Sequence, residues 1–226
     1  MRRRLLAALL AALGPVAVHA SDRPFLLTSN AAAEEDDDRV WSIETWWQRA
    51  GANRAFTVAP EYAFDPVNSI QFEFSRASGN ANALEVEFKH LFNHIARDGW
   101  GWGIVLAADV AGSGASGWKG HGVTVKLPWS LQLRGDEALL HFNAGLQKQR
   151  GERREWLASA AFEHKLPWRS VGFVEIGRED RETLWHAGVR HWIRRDRLAL
   201  DLAVQRRRGG DGTGTGAVLG LAWYDL

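Results

Sequence analysis

Apolar and polar residues alternate along most of the chain from Val40 to its last residue. Alternation places one set of side chains on each face of an extended strand. About twelve such segments follow one another, each close to the roughly 9–11 residues that a tilted transmembrane strand needs. The segment 171–177 is ambiguous, because Glu175 shares its parity with Val171 and Phe173. The pattern predicts an all-β protein, a single antiparallel up-and-down barrel of about twelve strands.

The alternation alone fits either a soluble barrel with apolar residues inside or a membrane barrel with apolar residues outside. The chain has twelve tryptophans but only two tyrosines. Most tryptophans fall near predicted strand ends, where the two membrane interfaces would lie. The closing stretch 217–226 is apolar on one face and ends beside Trp223 and Tyr224, as a strand reaching an aromatic girdle should. These features favour a transmembrane barrel.

The N-terminus has the features of a secretory signal peptide over residues 1–20. Three arginines precede the apolar run Leu5 to Leu13, and Val18-His19-Ala20 forms a small-x-small cleavage site. Residues 21–38 are predicted to be an acidic periplasmic segment, and residues 39–226 the barrel. The run Glu34 to Asp38 allows two interpretations: it is a solvated segment, or it captures cations near the mouth of a pore. We therefore expect the protein to be located in the bacterial outer membrane. Its expected partners are the lipids of that membrane and the barrel assembly machinery.

Composition excludes several functional classes. The formal net charge is +1, which does not favour nucleic acid as a partner. The absence of cysteine rules out disulfides and thiolate chemistry. The histidines show no metal-binding spacing, and no phosphate-binding, metalloprotease or serine-hydrolase motif occurs. We expect no cofactor and no metal.

One polar row is predicted to line the barrel interior. Its members are charged or amide-bearing residues opposite the apolar face: Glu61, Glu73, Glu85, Glu87, Lys89, Asp109, Lys126, His141, Asn143, Arg190 and Asp201. Acidic and basic members could pair across strands and close a small barrel. Around water, they could instead set the selectivity of a pore. A barrel of about twelve strands fits both alternatives.

His141 and Asn143 also allow an enzymatic hypothesis. They lie two residues apart on one strand face, as in lipid hydrolases of the outer membrane, and Ser159 on the next strand is the nearest candidate nucleophile. A lipid-cleaving site should reach the outer surface, whereas this face points inward. The sequence therefore favours two lumen-lining polar residues.

Short patterns along the chain are similar to a known family. They are Arg23-Pro24 with Thr28 and Ala31, Glu44, Pro60-Glu61-Tyr62, 69–73, 84–92, 140–145, Glu175, 188–190 and Gly220-Leu221. They resemble the outer-membrane proteins named for the meta-cleavage pathway of phenol degradation. The chain departs from that family at 81–83, where Ala-Asn-Ala replaces a Gly-Asp turn. The resemblance implies an outer-membrane barrel that passes small aromatic or apolar compounds, and it supplies no catalytic residues.

The function expected from these observations is non-enzymatic. We expect a passive channel or uptake protein for small molecules. The alternatives are a closed barrel with a structural or assembly role and, third, a lipid-modifying enzyme that uses His141.

Overall fold

The computed structural model describes residues 24–32, 39–51, 53–93, 95–113, 117–135, 137–179, 181–209 and 212–226. It contains twelve strands: β1 (Val40–Ala50), β2 (Asn53–Asp65), β3 (Asn68–Ala77), β4 (Ala81–Asn93), β5 (Trp100–Ser113), β6 (Gly117–Leu133), β7 (Ala138–Gln149), β8 (Arg154–Leu166), β9 (Ser170–Glu179), β10 (Glu182–Arg194), β11 (Leu198–Gly209) and β12 (Gly212–Trp223). A one-turn helix, α1 (Ile95–Asp98), joins β4 to β5. The predicted signal peptide and the acidic run Glu34 to Asp38 lie outside the described residues.

The strands form one closed antiparallel barrel in which each strand pairs with its neighbours in sequence. β12 closes the barrel by pairing with β1, with Ile43 opposite Trp223 and Ala50 opposite Gly216. Closure leaves no strand edge unpaired, which is what a sheet in lipid requires. The prediction of an all-β barrel with about twelve strands is confirmed.

The faces of the barrel have the polarity of a membrane protein. The exterior carries large exposed apolar side chains on nearly every strand, including Trp47, Phe74, Leu127 and Val204. The buried interior instead holds many polar and charged side chains. A soluble barrel would have the opposite arrangement. The exterior is therefore a surface for lipid. None of the helices in the described ranges has the length and apolar character needed to cross a bilayer.

Two stretches of the chain place aromatic side chains on the inward face. In β9, Phe173 and Glu175 both point inward, while Val174 and Ile176 face outward. At the C-terminus, Trp223 is exposed on the exterior, but Tyr224 is buried in the interior. Tyr224 therefore does not belong to the outer aromatic girdle. Its hydroxyl is hydrogen-bonded within the barrel, and this polar contact accounts for its inward position.

Candidate functional site

The interior of the barrel is occupied by part of the chain itself. Residues 24–32, here called the inner segment, form neither helix nor strand and run inside the barrel. Their buried members are Pro24, Phe25, Leu26, Leu27, Thr28, Ser29 and Ala31. Residues 21–38 are predicted from the sequence to be a periplasmic segment ahead of the barrel, and the described part of that range, residues 24–32, lies within the barrel. The candidate site is the contact between the inner segment and the barrel wall.

Glu175 of β9 holds the first half of the inner segment through its backbone. Its Oε2 accepts a hydrogen bond from the backbone N–H of Leu26 at 2.8 Å. Its Oε1 accepts from the N–H groups of Leu27 and Thr28 at 2.9 and 2.7 Å. His186 Nδ1 lies 3.2 Å from the Oε2 atom. A buried carboxylate needs such partners, and the inner segment supplies three of them.

The second half of the inner segment is bound by β6 and β7. Asn143 makes a reciprocal pair with Ser29: its Oδ1 accepts from the Ser29 N–H at 2.8 Å, and its Nδ2 donates to the Ser29 carbonyl at 2.7 Å. Lys126 Nζ donates to Ser29 Oγ at 2.8 Å. Ser130 Oγ accepts from the Ala31 N–H at 2.8 Å. Together with Glu175, these side chains fix the path of the segment mainly through its backbone.

Apolar and aromatic contacts complete the binding of the inner segment. The Phe25 ring is fully buried, with its centroid 5.4 Å from that of His141 and 6.0 Å from that of Phe173, edge to face. Leu26 and Leu27 belong to a buried cluster with Trp46 and Val218. Aromatic pairs at these distances add to the stabilisation that comes from buried area.

Two inward glycines leave the room that the inner segment occupies. A Cβ atom at Gly177 would lie 2.6 Å from Leu27 Cδ1, and one at Gly101 would lie 2.4 Å from the backbone oxygen of Ala31. Any larger residue at either position would overlap the segment. The barrel wall is thus shaped around residues 24–32.

A small cavity lies beside the inner segment. A cavity of about 10 Å³ is bordered by Leu27, Lys126, Asn143 and Ser159. This is about the space needed for one water molecule. At this level, and within the part of the chain that the structure describes, the cavity is too small for a solute larger than water.

The eleven residues of the predicted interior row all lie on the inward face. Ten of them are buried and Asp109 is half-buried. Acidic members meet across strands, since Glu85 is opposite both Glu73 and Asp109. Lys126 Nζ lies 3.6 Å from Glu87 Oε2. Three members of the row contact the inner segment: Lys126 and Asn143 through hydrogen bonds, and His141 through its ring. The other eight line the rest of the interior.

Arg190 and Asp201 are brought together in a second cluster, near the seam between β12 and β1. The Arg190 guanidinium donates to both Asp201 oxygens at 2.8 and 2.9 Å and to the Tyr224 hydroxyl at 2.8 Å. The Tyr224 hydroxyl donates to Glu44 Oε1 at 2.6 Å. Charge-assisted, bidentate bonds of this kind are strong and geometrically specific. The cluster ties β10 and β11 to the two closing strands.

The hypothesis that Ser159 is a nucleophile beside His141 is wrong. The register places Ser159 opposite Asn143 and Ala161 opposite His141, and Ser159 Oγ accepts from the Thr28 hydroxyl at 2.9 Å. His141 instead contacts Ser130 Oγ through Nδ1 at 2.7 Å and Glu163 through Nε2 at 2.9 Å. Ser130 is fully buried beneath the inner segment, so this serine–histidine–glutamate chain does not face lipid.

Several residues of the site were missed by the sequence analysis. Glu44 and Tyr224 have inward parity, so alternation alone could have included them. The inward orientation of Glu175 could not be assigned from the sequence, because Glu175 has the same parity as the apolar Phe173. Ser130 shares the inward parity of Lys126 on its strand, whereas the inner segment carries no pattern that predicts burial. In the described ranges, no group of three or more metal-binding side chains comes together.

Substituting Gly101 by alanine is expected to displace the inner segment. The new methyl group would overlap the Ala31 carbonyl, at a cost of about 1–3 kcal/mol for overpacking. In a Thr28→Cys background, whose cysteine is the only one in the chain, maleimide labelling should accelerate by roughly tenfold. Gly214→Ala is the matched control, because its Cβ meets nothing within 4 Å. Equal labelling rates in both variants would contradict the role of Gly101.

The barrel has the fold of outer-membrane porins. It is similar to the KdgM porin solved in complex with disordered oligogalacturonate (TM-score 0.64, 10% identity, covering 80% of this chain and 98% of that one). The NanC porin gives a TM-score of 0.60 at 6% identity, over 82% of this chain and 100% of that one. Omp33 of Acinetobacter baumannii gives a TM-score of 0.56 at 9% identity, over 84% of this chain and 99% of that one.

Identities this low establish the fold alone. No protein-family model matches the chain, and no curated protein sequence matches it. The resemblance to the phenol-pathway family therefore stays a prediction. Together with the apolar exterior, the shared fold is that of an outer-membrane β-barrel.

Proposed function

We propose that this protein is a passive outer-membrane channel for small molecules, closed by its inner segment in the conformation described above. The observation that carries the proposal is a polar interior that holds a length of chain outside the strands of the barrel. The inner segment is attached through hydrogen bonds and side-chain packing, and it forms no part of the barrel strands. Contact with outer-membrane lipids and insertion by the barrel assembly machinery belong to the same proposal.

The size of the inner segment indicates how wide the bore of the barrel, here the channel left when the segment is absent, would be. With residues 24–32 in place, the cavity beside Leu27 has room for about one water molecule. If the segment left, the space would be at least as wide as a polypeptide chain with its side chains. The bore would then be lined by Lys126, Asn143 and Glu175, which are polar groups able to replace the hydration of a solute.

The solute class that we propose includes small aromatic compounds. Phe25 is the largest fully buried side chain of the inner segment, and its ring contacts those of His141 and Phe173. Departure of the segment would vacate a site already shaped for one aromatic ring. This site supports the solute class implied by the family resemblance.

A second candidate function is a barrel that remains closed and acts structurally. The observation that favours it is the dense attachment of the inner segment, with three backbone N–H groups on the Glu175 carboxylate alone. In that case the charged interior would stabilise the barrel and would not conduct solutes.

Deleting residues 24–32 from the protein separates the two candidates. A channel should give brief openings in planar bilayers as wild type and long-lived openings after the deletion. Adding Glu85→Gln and Glu87→Gln should then reduce its preference for cations. Liposome swelling with sugars and with small aromatic acids would test the solute class. A correctly folded deletion variant that stays silent would refute the channel and support the closed barrel.

A further inference from the structure

A groove on the lipid-facing exterior crosses β8 to β11 and reaches Leu140 of β7 and Thr215 of β12. Its volume is about 470 Å³, within the usual range of ligand sites. Most of the outward-facing side chains along it are apolar, among them Ala160, Phe162, Ile176, Trp185, Ala187 and Val204, while Arg206 and Thr215 are polar. Ala160 lies opposite Ile176 and Ala187 lies opposite Val174. The two small alanines form the depression between larger neighbours.

Arginines border one end of this groove. Trp185 of β10 is flanked by Ile176 of β9 and Arg206 of β11, all on the outward face. In the next outward row, Thr183 is flanked by Arg178 and Arg208. On β12 the partners of Arg206 and Arg208 are Thr215 and Thr213. The cross-strand neighbours of Arg206 and Arg208 on this face therefore carry no negative charge.

The position of Trp185 indicates how deep Arg206 and Arg208 lie in the membrane. Its side chain is exposed on the exterior near the end of its strand, where tryptophans mark the interface between hydrocarbon and headgroups. Arg206 lies beside it, and Arg208 lies one row nearer the rim. Cationic groups at this depth face lipid headgroups, while the groove below them faces acyl chains.

The rim that carries these arginines faces away from the cell in the usual orientation of bacterial barrels. The first strand begins, and the last strand ends, at the opposite rim. Barrels with an even number of strands place that rim in the periplasm. The arginines would therefore meet the outer leaflet, which in Gram-negative bacteria is composed of lipid A-based glycolipids.

We propose that this face is a binding site for lipid A, a phosphorylated glycolipid with several acyl chains. Arg206 and Arg208 bind its phosphate groups, and one acyl chain lies in the groove over Ala160 and Ala187. Positive charge beside apolar surface matches the two chemical parts of this lipid. The site is separate from the proposed channel, because the side chains of these four residues lie on the outward face of the barrel, opposite to the inner segment.

Native mass spectrometry of the full barrel in detergent would test the site, with lipid A, phosphatidylglycerol and phosphatidylcholine as probes. Wild type should retain lipid A in preference to both phospholipids. Arg206→Ala combined with Arg208→Ala should lower lipid A binding by roughly tenfold. Arg195→Ala, an exposed arginine at the opposite rim, should leave binding unchanged.

A second pair of variants tests the groove. Ala160→Phe fills it and should also reduce lipid A binding, whereas Ala144→Phe, on the exterior outside the groove, should not. Heat-modifiable mobility verifies folding in every variant. Equal retention of phosphatidylcholine and lipid A by wild type, or an equal loss in Arg195→Ala, would overturn the proposal. Preferential retention of phosphatidylglycerol would overturn it as well.

Discussion

Oxidation of a Leu27→Cys/Gly177→Cys variant should abolish channel activity, and reduction should restore it. A Cβ atom at Gly177 would lie 3.4 Å from Leu27 Cβ, close to the spacing of about 3.5–4.5 Å found in disulfides. The Leu27 Cδ1 atom that would clash with this Cβ disappears in the variant. Because the chain has no cysteine, no other disulfide can form. The bond would hold the inner segment in the bore.

Single-channel recording under oxidising and reducing conditions measures this effect, which should be all or none. Leu27→Cys alone, treated with the same oxidant, controls for oxidation, and the reduced double variant controls for the two substitutions. Full cross-linking can be followed by gel mobility. Unchanged openings in a fully cross-linked barrel would show that the inner segment does not close the bore.

Replacing Arg190 by methionine should give the largest loss of stability of any single interior substitution. The change leaves the buried carboxylates of Asp201 and Glu44 without their cationic partner. Removing one member of a buried ion pair typically costs about 3–5 kcal/mol. Urea unfolding in micelles, followed by tryptophan fluorescence, would measure the free energy of unfolding.

An exposed arginine provides the matched control. Arg195 pairs with Asp196 at 3.3 Å, but both side chains are more than three-quarters exposed. Arg195→Met should therefore change the free energy of unfolding by no more than about 1 kcal/mol. A loss in Arg190→Met as small as this would mean that the interior cluster contributes little to closing the barrel.

The strands and their faces could be predicted from the sequence because they depend on local alternation. Trp47 and Leu127 face outward, and Glu85 and Lys126 face inward, as parity requires. The partners of these side chains depend on register, which alternation does not encode. The ion pair of Arg190 with Asp201 becomes evident only once β10 and β11 are aligned.

The inner segment could not be predicted in the same way. Its Leu26 binds Glu175, a residue 149 positions away, and nine irregular residues carry no period that signals burial. The sequence Phe25 to Leu27 is apolar, but three residues are too few to show a periodic pattern. Its location depends on the shape of the completed interior, in particular on the space left at Gly101 and Gly177.

The contacts of the inner segment also bear on the order of assembly. Its hydrogen bonds go to strands in the middle of the chain, through Lys126, Asn143 and Glu175. Its leucines pack on Trp46 and Val218, which belong to the first and last strands. A segment synthesised before every strand thus touches both the central wall and the closing seam. Residues 24–32 would act as an internal template, completing their apolar contacts only when the first and last strands meet in the correct register.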